Sequence, residues 1–155
     1  FLIGTYLTSF IIVLLQLAII AIGLDLIVGF NLNLLSALII PLLLIISMFI
    51  LLGIIVGYFA SSQETANVIS LFLIVGALFF SNTILPLEAL PSYLKQIVLY
   101  NPFVVGEFAV KKMLVFGFVL SKVKSHIFIL IWYNLIFLIL SYLGLIYSKK
   151  RVSER

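Results

Sequence analysis

His126 is the one histidine in this sequence, and cysteine is absent. A metal site of imidazoles or thiolates needs several such ligands at fixed spacing, so none can be assembled here. The missing cysteines also remove a thiol nucleophile and a disulfide framework. No glycine is followed by lysine, which excludes the Gly-x-x-x-x-Gly-Lys loop that cradles nucleotide phosphates. There is no Gly-x-Ser-x-Gly elbow to present a serine nucleophile. The carboxylates are Asp25, Glu64, Glu88, Glu107 and Glu154, and no two share an apolar segment as an acid–base pair would. The sequence therefore offers no catalytic, cofactor-binding or metal-ligating set. It cannot be the ATP-hydrolysing part of anything.

What remains is a small number of polar and special residues inside long apolar runs. Gln16 and Asn134 are amides surrounded by aliphatic residues. They read as interhelical hydrogen-bonding groups or as the lining of a transport path. Gly53-Ile54-Ile55-Val56-Gly57 is a Gly-x-x-x-Gly, a spacing that lets a second helix approach closely. Pro41 interrupts an apolar run and is expected to bend it. Phe72, Phe79 and Phe80 read as packing residues with cavity lining as the alternative, and His126 as an interfacial side chain.

The elements that hold these residues follow from composition. Hydrophobic residues make up 65% of the 155 and charged residues 9%, against roughly 45–50% and 25% in a soluble domain. A small water-soluble globule cannot build its polar shell from so few charges, and disorder requires low hydrophobicity. The formal charge of +4 then points to a membrane surface rather than to nucleic acid. Spanning helices need about 20 apolar residues, and four segments qualify: about 1–23, 34–59, 66–85 and 125–147. Consecutive apolar residues such as Ile11-Ile12-Val13-Leu14-Leu15 do not alternate as barrel strands do. The predicted fold is all-α, a polytopic helical bundle, in which Asp25 and Glu64 are solvated loop charges. Phe1 already stands inside the first apolar run, so the chain reads as a fragment entered at a span.

The segment before the last span is too polar to cross easily and too apolar for a solvated loop. Over residues 90–98, Leu90, Leu94, Ile97 and Val98 share one helical face, opposite Glu88, Ser92, Lys95 and Gln96. Asn101-Pro102 breaks that helix. A second amphipathic stretch sets Val105, Phe108, Ala109 and Phe116 against Glu107, Lys111 and Lys112, with Glu107 and Lys111 at pairing distance along a helix and Gly117 at its end. Two short interfacial or re-entrant helices are expected within about 87–120.

The run Phe79-Phe80-Ser81-Asn82-Thr83-Ile84-Leu85-Pro86-Leu87-Glu88-Ala89-Leu90-Pro91 resembles the permease subunits of type 2 ATP-binding-cassette transporters. The shared features occur in order: the small-polar pair Ser81-Asn82, a Pro-x-x-x-Leu-Pro from Pro86 through Leu90 to Pro91, then Asn101-Pro102, then a basic residue at Lys111 or Lys112. Asn82 stands where glycine is common in that family. The resemblance implies that the four spans are the third to sixth of six. It places the two short helices on the outer face and the tail, 148–155, in the cytoplasm of a plasma-membrane protein. It also implies an exporter whose power comes from a separate ATPase subunit carrying ATP and Mg. A second permease chain, identical or related, and membrane lipids would be its other partners. The competing expectation is a non-transporting membrane scaffold.

Overall fold

The computed structural model describes residues 2–28, 33–81, 90–117 and 120–153. Six α-helices follow in order: α1 (Leu2–Val28), α2 (Asn33–Phe59), α3 (Gln63–Phe79), α4 (Ser92–Leu99), α5 (Pro102–Leu114) and α6 (Lys124–Ser153). A 3₁₀ turn, Leu120–Val123, leads into α6. Among the described residues there is no strand, as expected where backbone groups in hydrocarbon must pair within their own segment.

Helices α1, α2 and α6 are long and apolar enough to cross a membrane. The segment expected at 66–85 is shorter: α3 has 17 residues, roughly 26 Å at 1.5 Å per residue against a hydrocarbon core of about 30 Å. Its start is fixed by Ser62, whose hydroxyl accepts a hydrogen bond from the Thr65 N–H at 3.2 Å. Two other expected boundaries move. The first span continues past residue 23 to Val28 and carries Asp25 within the helix, because one carboxylate near a helix end does not break an apolar ladder. At the other end α6 runs on through residues 148–153, so most of the segment read as a tail is helical.

Helix α2 is the centre of the bundle, with α1, α3, α5 and α6 packed around it. Its principal partner is α6. The α6 face used is Leu130, Asn134, Phe137, Ser141 and Gly144, spaced by four and three, so they stack on one side of the helix. Leu130 is fully buried with Met48, Val105 and Ala109. Farther along, Gly144 meets Tyr58, and a Cβ at that position would lie 3.1 Å from the Tyr58 Cβ. By contrast, none of the spanning window of α1 is buried, and α3 has no buried residue.

Helices α4 and α5 form a re-entrant pair. Phe103, at the start of α5, meets Phe49 edge-on with ring centroids 6.3 Å apart. Val105 and Ala109 pack with Met48, and Met113 packs with Leu38 and Val123. Helix α5 thus runs antiparallel to α2, from the level of Phe49 back to that of Leu38. The Tyr100–Asn101 joint is its tip, reaching past the midpoint of α2. Close approach is permitted by Gly106, where a Cβ would stand 3.0 Å from the Ile45 side chain. The amphipathic reading of α4 holds at Leu94 and Val98, which turn inward, and at Ser92, Lys95 and Gln96, which are exposed. It fails at Ile97, which is exposed beside a groove floored by Phe80 and Leu94. Phe116 lies beyond the end of α5 and is also exposed. Helix α5 ends at Leu114, and Gly117 follows with φ of +61°, the left-handed region that glycine enters without strain.

Candidate functional site

Pro102 determines much of the re-entrant tip. A residue before proline is pushed out of the α region into extended conformations, and Asn101 has φ −62° and ψ 125°. That is the backbone geometry of a helix N-cap, with proline in the first helical position, where its missing N–H costs nothing. The Asn101 Oδ1 accepts a hydrogen bond from the Phe103 N–H at 3.0 Å. The Asn-Pro pair is therefore the start of α5 as much as the end of α4. The amide Nδ2 of Asn101 points the other way and donates to the Ala77 carbonyl of α3 at 3.2 Å. From α6, the Tyr133 hydroxyl donates to the Tyr100 carbonyl. The tip is thus bonded to two different spans.

The other residues of the ordered pattern fall around this tip. Ser81 is fully buried, and its hydroxyl donates to the Leu78 carbonyl at 2.6 Å. Leu90 packs against Val98 and Val104, and Pro91 is the exposed residue preceding α4. Asn82, Pro86 and Glu88 lie outside the described residues. Lys111 pairs with Glu107 one turn earlier on α5. The second oxygen of Glu107 is buried without a partner. Lys112 approaches Nε2 of His126 on α6 at 3.4 Å, so the sole histidine faces α5. The Glu107–Lys111 pair offsets part of the cost of bringing Glu107 toward the bundle, where an unpaired charge costs about 2.5–3.5 kcal/mol on insertion scales.

The two amides separate. Asn134 donates from Nδ2 to the Leu44 carbonyl of α2 at 3.0 Å and to its own Leu130 carbonyl at 2.8 Å. It is an interhelical residue, and its Oδ1 is buried without a partner. Gln16 is exposed on α1 and joins no two helices among the described contacts. The Gly-x-x-x-Gly expectation is corrected within this chain: Gly53 and Gly57 have no heavy atom within 4 Å of an added Cβ. Both instead line a groove of about 590 Å³ with Thr5, Ser9, Tyr58 and Ser148. Among the described glycines, those that allow close packing are Gly106 and Gly144. Each stands alone in sequence, without a spacing signature.

Sequence reasoning also missed Tyr133, Ser141 and the Tyr6–Ser47 bond. Ser141 is fully buried; its hydroxyl donates to the Phe137 carbonyl at 2.7 Å and approaches the Leu51 carbonyl of α2 at 3.4 Å. The seven-residue spacing of Asn134 and Ser141 was the available signal, since it places both on one face of α6. The Tyr6 hydroxyl donates to Ser47 Oγ at 2.8 Å and ties α1 to α2. Nothing in the sequence singles out that tyrosine. A groove of about 440 Å³ between α2, α3 and the tip is lined by Phe49, Phe72, Ala77, Phe80, Asn101 and Phe137. Phe72 and Phe80, read first as packing residues, therefore line a cavity. Among the described residues no group of His, Asp or Glu is placed to hold a metal ion.

A family model described as ABC-2 type transporter matches residues 1–112, from α1 through most of α5 and including the whole re-entrant tip. No curated protein and no solved structure matches the chain.

Proposed function

The chain belongs to the ABC-2 type transporter family, and from that premise we propose that it is the part of an exporter permease that forms the outer gate. As a membrane domain of that family it is a permease component, not itself an enzyme, and works with an ATP-binding-cassette ATPase. The proposed cargo is an amphiphile, lipid-, glycan- or drug-like, moved out of the cytoplasm across the plasma membrane. A second permease chain completes the path.

The observation that carries this reading is the re-entrant pair seated between α2, α3 and α6. It makes the two ends of the bundle unlike. One end is filled by α4 and α5, and at the other only α1, α2, α3 and α6 remain. The basic cluster Lys149, Lys150 and Arg151 lies at the end away from the pair, but Lys95, Lys111, Lys112, Lys122 and Lys124 lie at the pair's own end, so charge is near balance and the outer placement of the pair rests on the family.

The test is transport by the full-length parent reconstituted with its ATPase in vesicles. Movement of an amphiphilic cargo should require ATP and stop when the catalytic carboxylate of the ATPase is removed. Transport that survives that change and collapses with a proton or sodium gradient would identify a secondary carrier. The scaffold reading is favoured by Asn134 Nδ2 and the Ser141 hydroxyl, which bond backbone carbonyls within the bundle. A complex that moves nothing across a broad panel of lipids, glycans and drugs would support it.

A further inference from the structure

A helix leaves its last carbonyls without intrahelical partners, and inside a membrane no water replaces them. At the end of α3 these carbonyls are divided between two residues. Gly76 O is taken by the Phe80 N–H at 3.1 Å. Leu78 O accepts from the Ser81 N–H at 3.1 Å and from the Ser81 hydroxyl. The Ser81 N–H, by turning to Leu78, abandons Ala77 O, its ordinary partner four residues back. Ala77 O, left in this way, is an acceptor that the Asn101 amide occupies.

Every polar group of Asn101 is engaged at least once. Its N–H donates to Val98 O and its carbonyl accepts from the Val105 N–H, both at 2.9 Å, and Oδ1 caps α5. Only Nδ2 leaves the re-entrant pair. Helix α3, meanwhile, has no buried residue to anchor it. Its near end is joined to α2 through residues 60–62, and the groove beside its far end is open.

We propose that Asn101 is a positioning residue for transport: its amide clasps the far end of α3 to the re-entrant tip, and making and releasing that clasp couples the movement of α3 to the gate. This rests on the permease reading above. The clasp has two discrete states, because a released Ala77 carbonyl at that depth must find another donor. Tyr133 holds the same tip to α6 rather than to α3, so it is the natural control.

The experiment uses the full-length permease with its ATPase in vesicles, comparing the wild type, Asn101→Ser and Tyr133→Phe. Serine keeps a capping oxygen but is too short to reach Ala77. Each protein is read for ATP hydrolysis, for transport per ATP and for thermal stability. Asn101→Ser is expected to retain hydrolysis while transport per ATP falls about fivefold or more, the range of a typical coupling between sites. Tyr133→Phe should lose comparable thermal stability and keep its transport per ATP. An unchanged ratio in Asn101→Ser, or an equal fall in both variants, would overturn the clasp and leave ordinary loosening of the tip. A wild type without ATP-dependent transport would instead remove the permease reading and this proposal with it. Should Asn101→Ser not fold, spin labels at Phe79 and Ser92 in the otherwise unaltered protein give the second test. The inter-label distance should change when the ATPase is trapped with nucleotide, and a single distance in all states would sink the idea.

Discussion

Helices α1 and α6 are made of the same material. They have 27 and 30 residues, both are apolar enough to span, and each carries one amide, Gln16 or Asn134. Yet α6 is knitted into the bundle, whereas α1 leaves its spanning window unburied. Lipid is as apolar as leucine, so hydrophobicity gives a helix no reason to prefer a neighbour. What distinguishes α6 is one face on which Leu130, Asn134, Phe137, Ser141 and Gly144 coincide. It supplies shape, two backbone-seeking side chains and a close approach. Helix α1 offers Tyr6 to Ser47, while its Gln16 is exposed and its spanning window is not buried. Association in this chain is decided by a few small and polar residues, and the rest of the composition merely permits insertion.

That contrast can be broken most forcefully at Gly106. Gly106→Leu drives a side chain into Ile45, already 3.0 Å from an added Cβ. It should destabilise the α2–α5 contact by about 1–3 kcal/mol, read as loss of folded protein in detergent titrations. Native-like stability would mean that α5 is not seated on α2. A smaller effect is expected from removing the amides. Asn134→Leu should cost about 0.6 kcal/mol and at most about 1.7, the range for interhelical hydrogen bonds in membranes; losing the unpartnered Oδ1 acts in the opposite direction. Gln16→Leu should cost nothing measurable by the same unfolding assay, and equal losses at the two sites would erase the distinction between α1 and α6. The smallest effect is expected at Gly53 and Gly57. Leucine at either meets open space, so stability should change by no more than about 0.5 kcal/mol. A clear loss of folded yield, measured by size-exclusion chromatography, would show that a helix outside this chain fills the groove.

Much of the fold was legible for the same reason that the packing was not. Long uncharged runs place α2 almost to the residue, since insertion depends on summed hydropathy. The shorter α3 and the longer α1 depart from expectation because hydropathy does not mark where a helix is capped. The packed faces are hidden because a helix that is apolar all round carries no stripe to say which side turns inward. Lone glycines escape notice, while Gly53-x-x-x-Gly57 attracts it without a neighbour in this chain. At the tip, Asn101-Pro102 was visible as a break, but not as the cap of α5. That the same asparagine reaches Ala77, 24 residues away, depends on tertiary placement and left no local trace. The Glu107–Lys111 pair was readable because both partners sit on one helix, unlike Lys112 and His126, which meet across two.

The Lys112–His126 contact bears on the order in which the protein is made. Helix α5 has 13 residues and brings Glu107, Lys111 and Lys112 with it, so membrane insertion machinery has no reason to accept it as a segment in its own right. Its resting place is the cleft between α2 and α6, and α6 emerges from the ribosome after it. The re-entrant pair must therefore wait at the membrane surface until the last helix of the chain has been inserted, and only then drop into place. Chains truncated after Ser121 and released from the ribosome into membranes should leave residues 92–114 open to protease, and chains extended through Ser153 should protect them. Protection already present in the shorter chains would mean that α2 and α3 suffice to receive it. Seating of α4 and α5 thus follows insertion of α6, so a chain that stops short of α6 holds its spans with the re-entrant pair still at the surface.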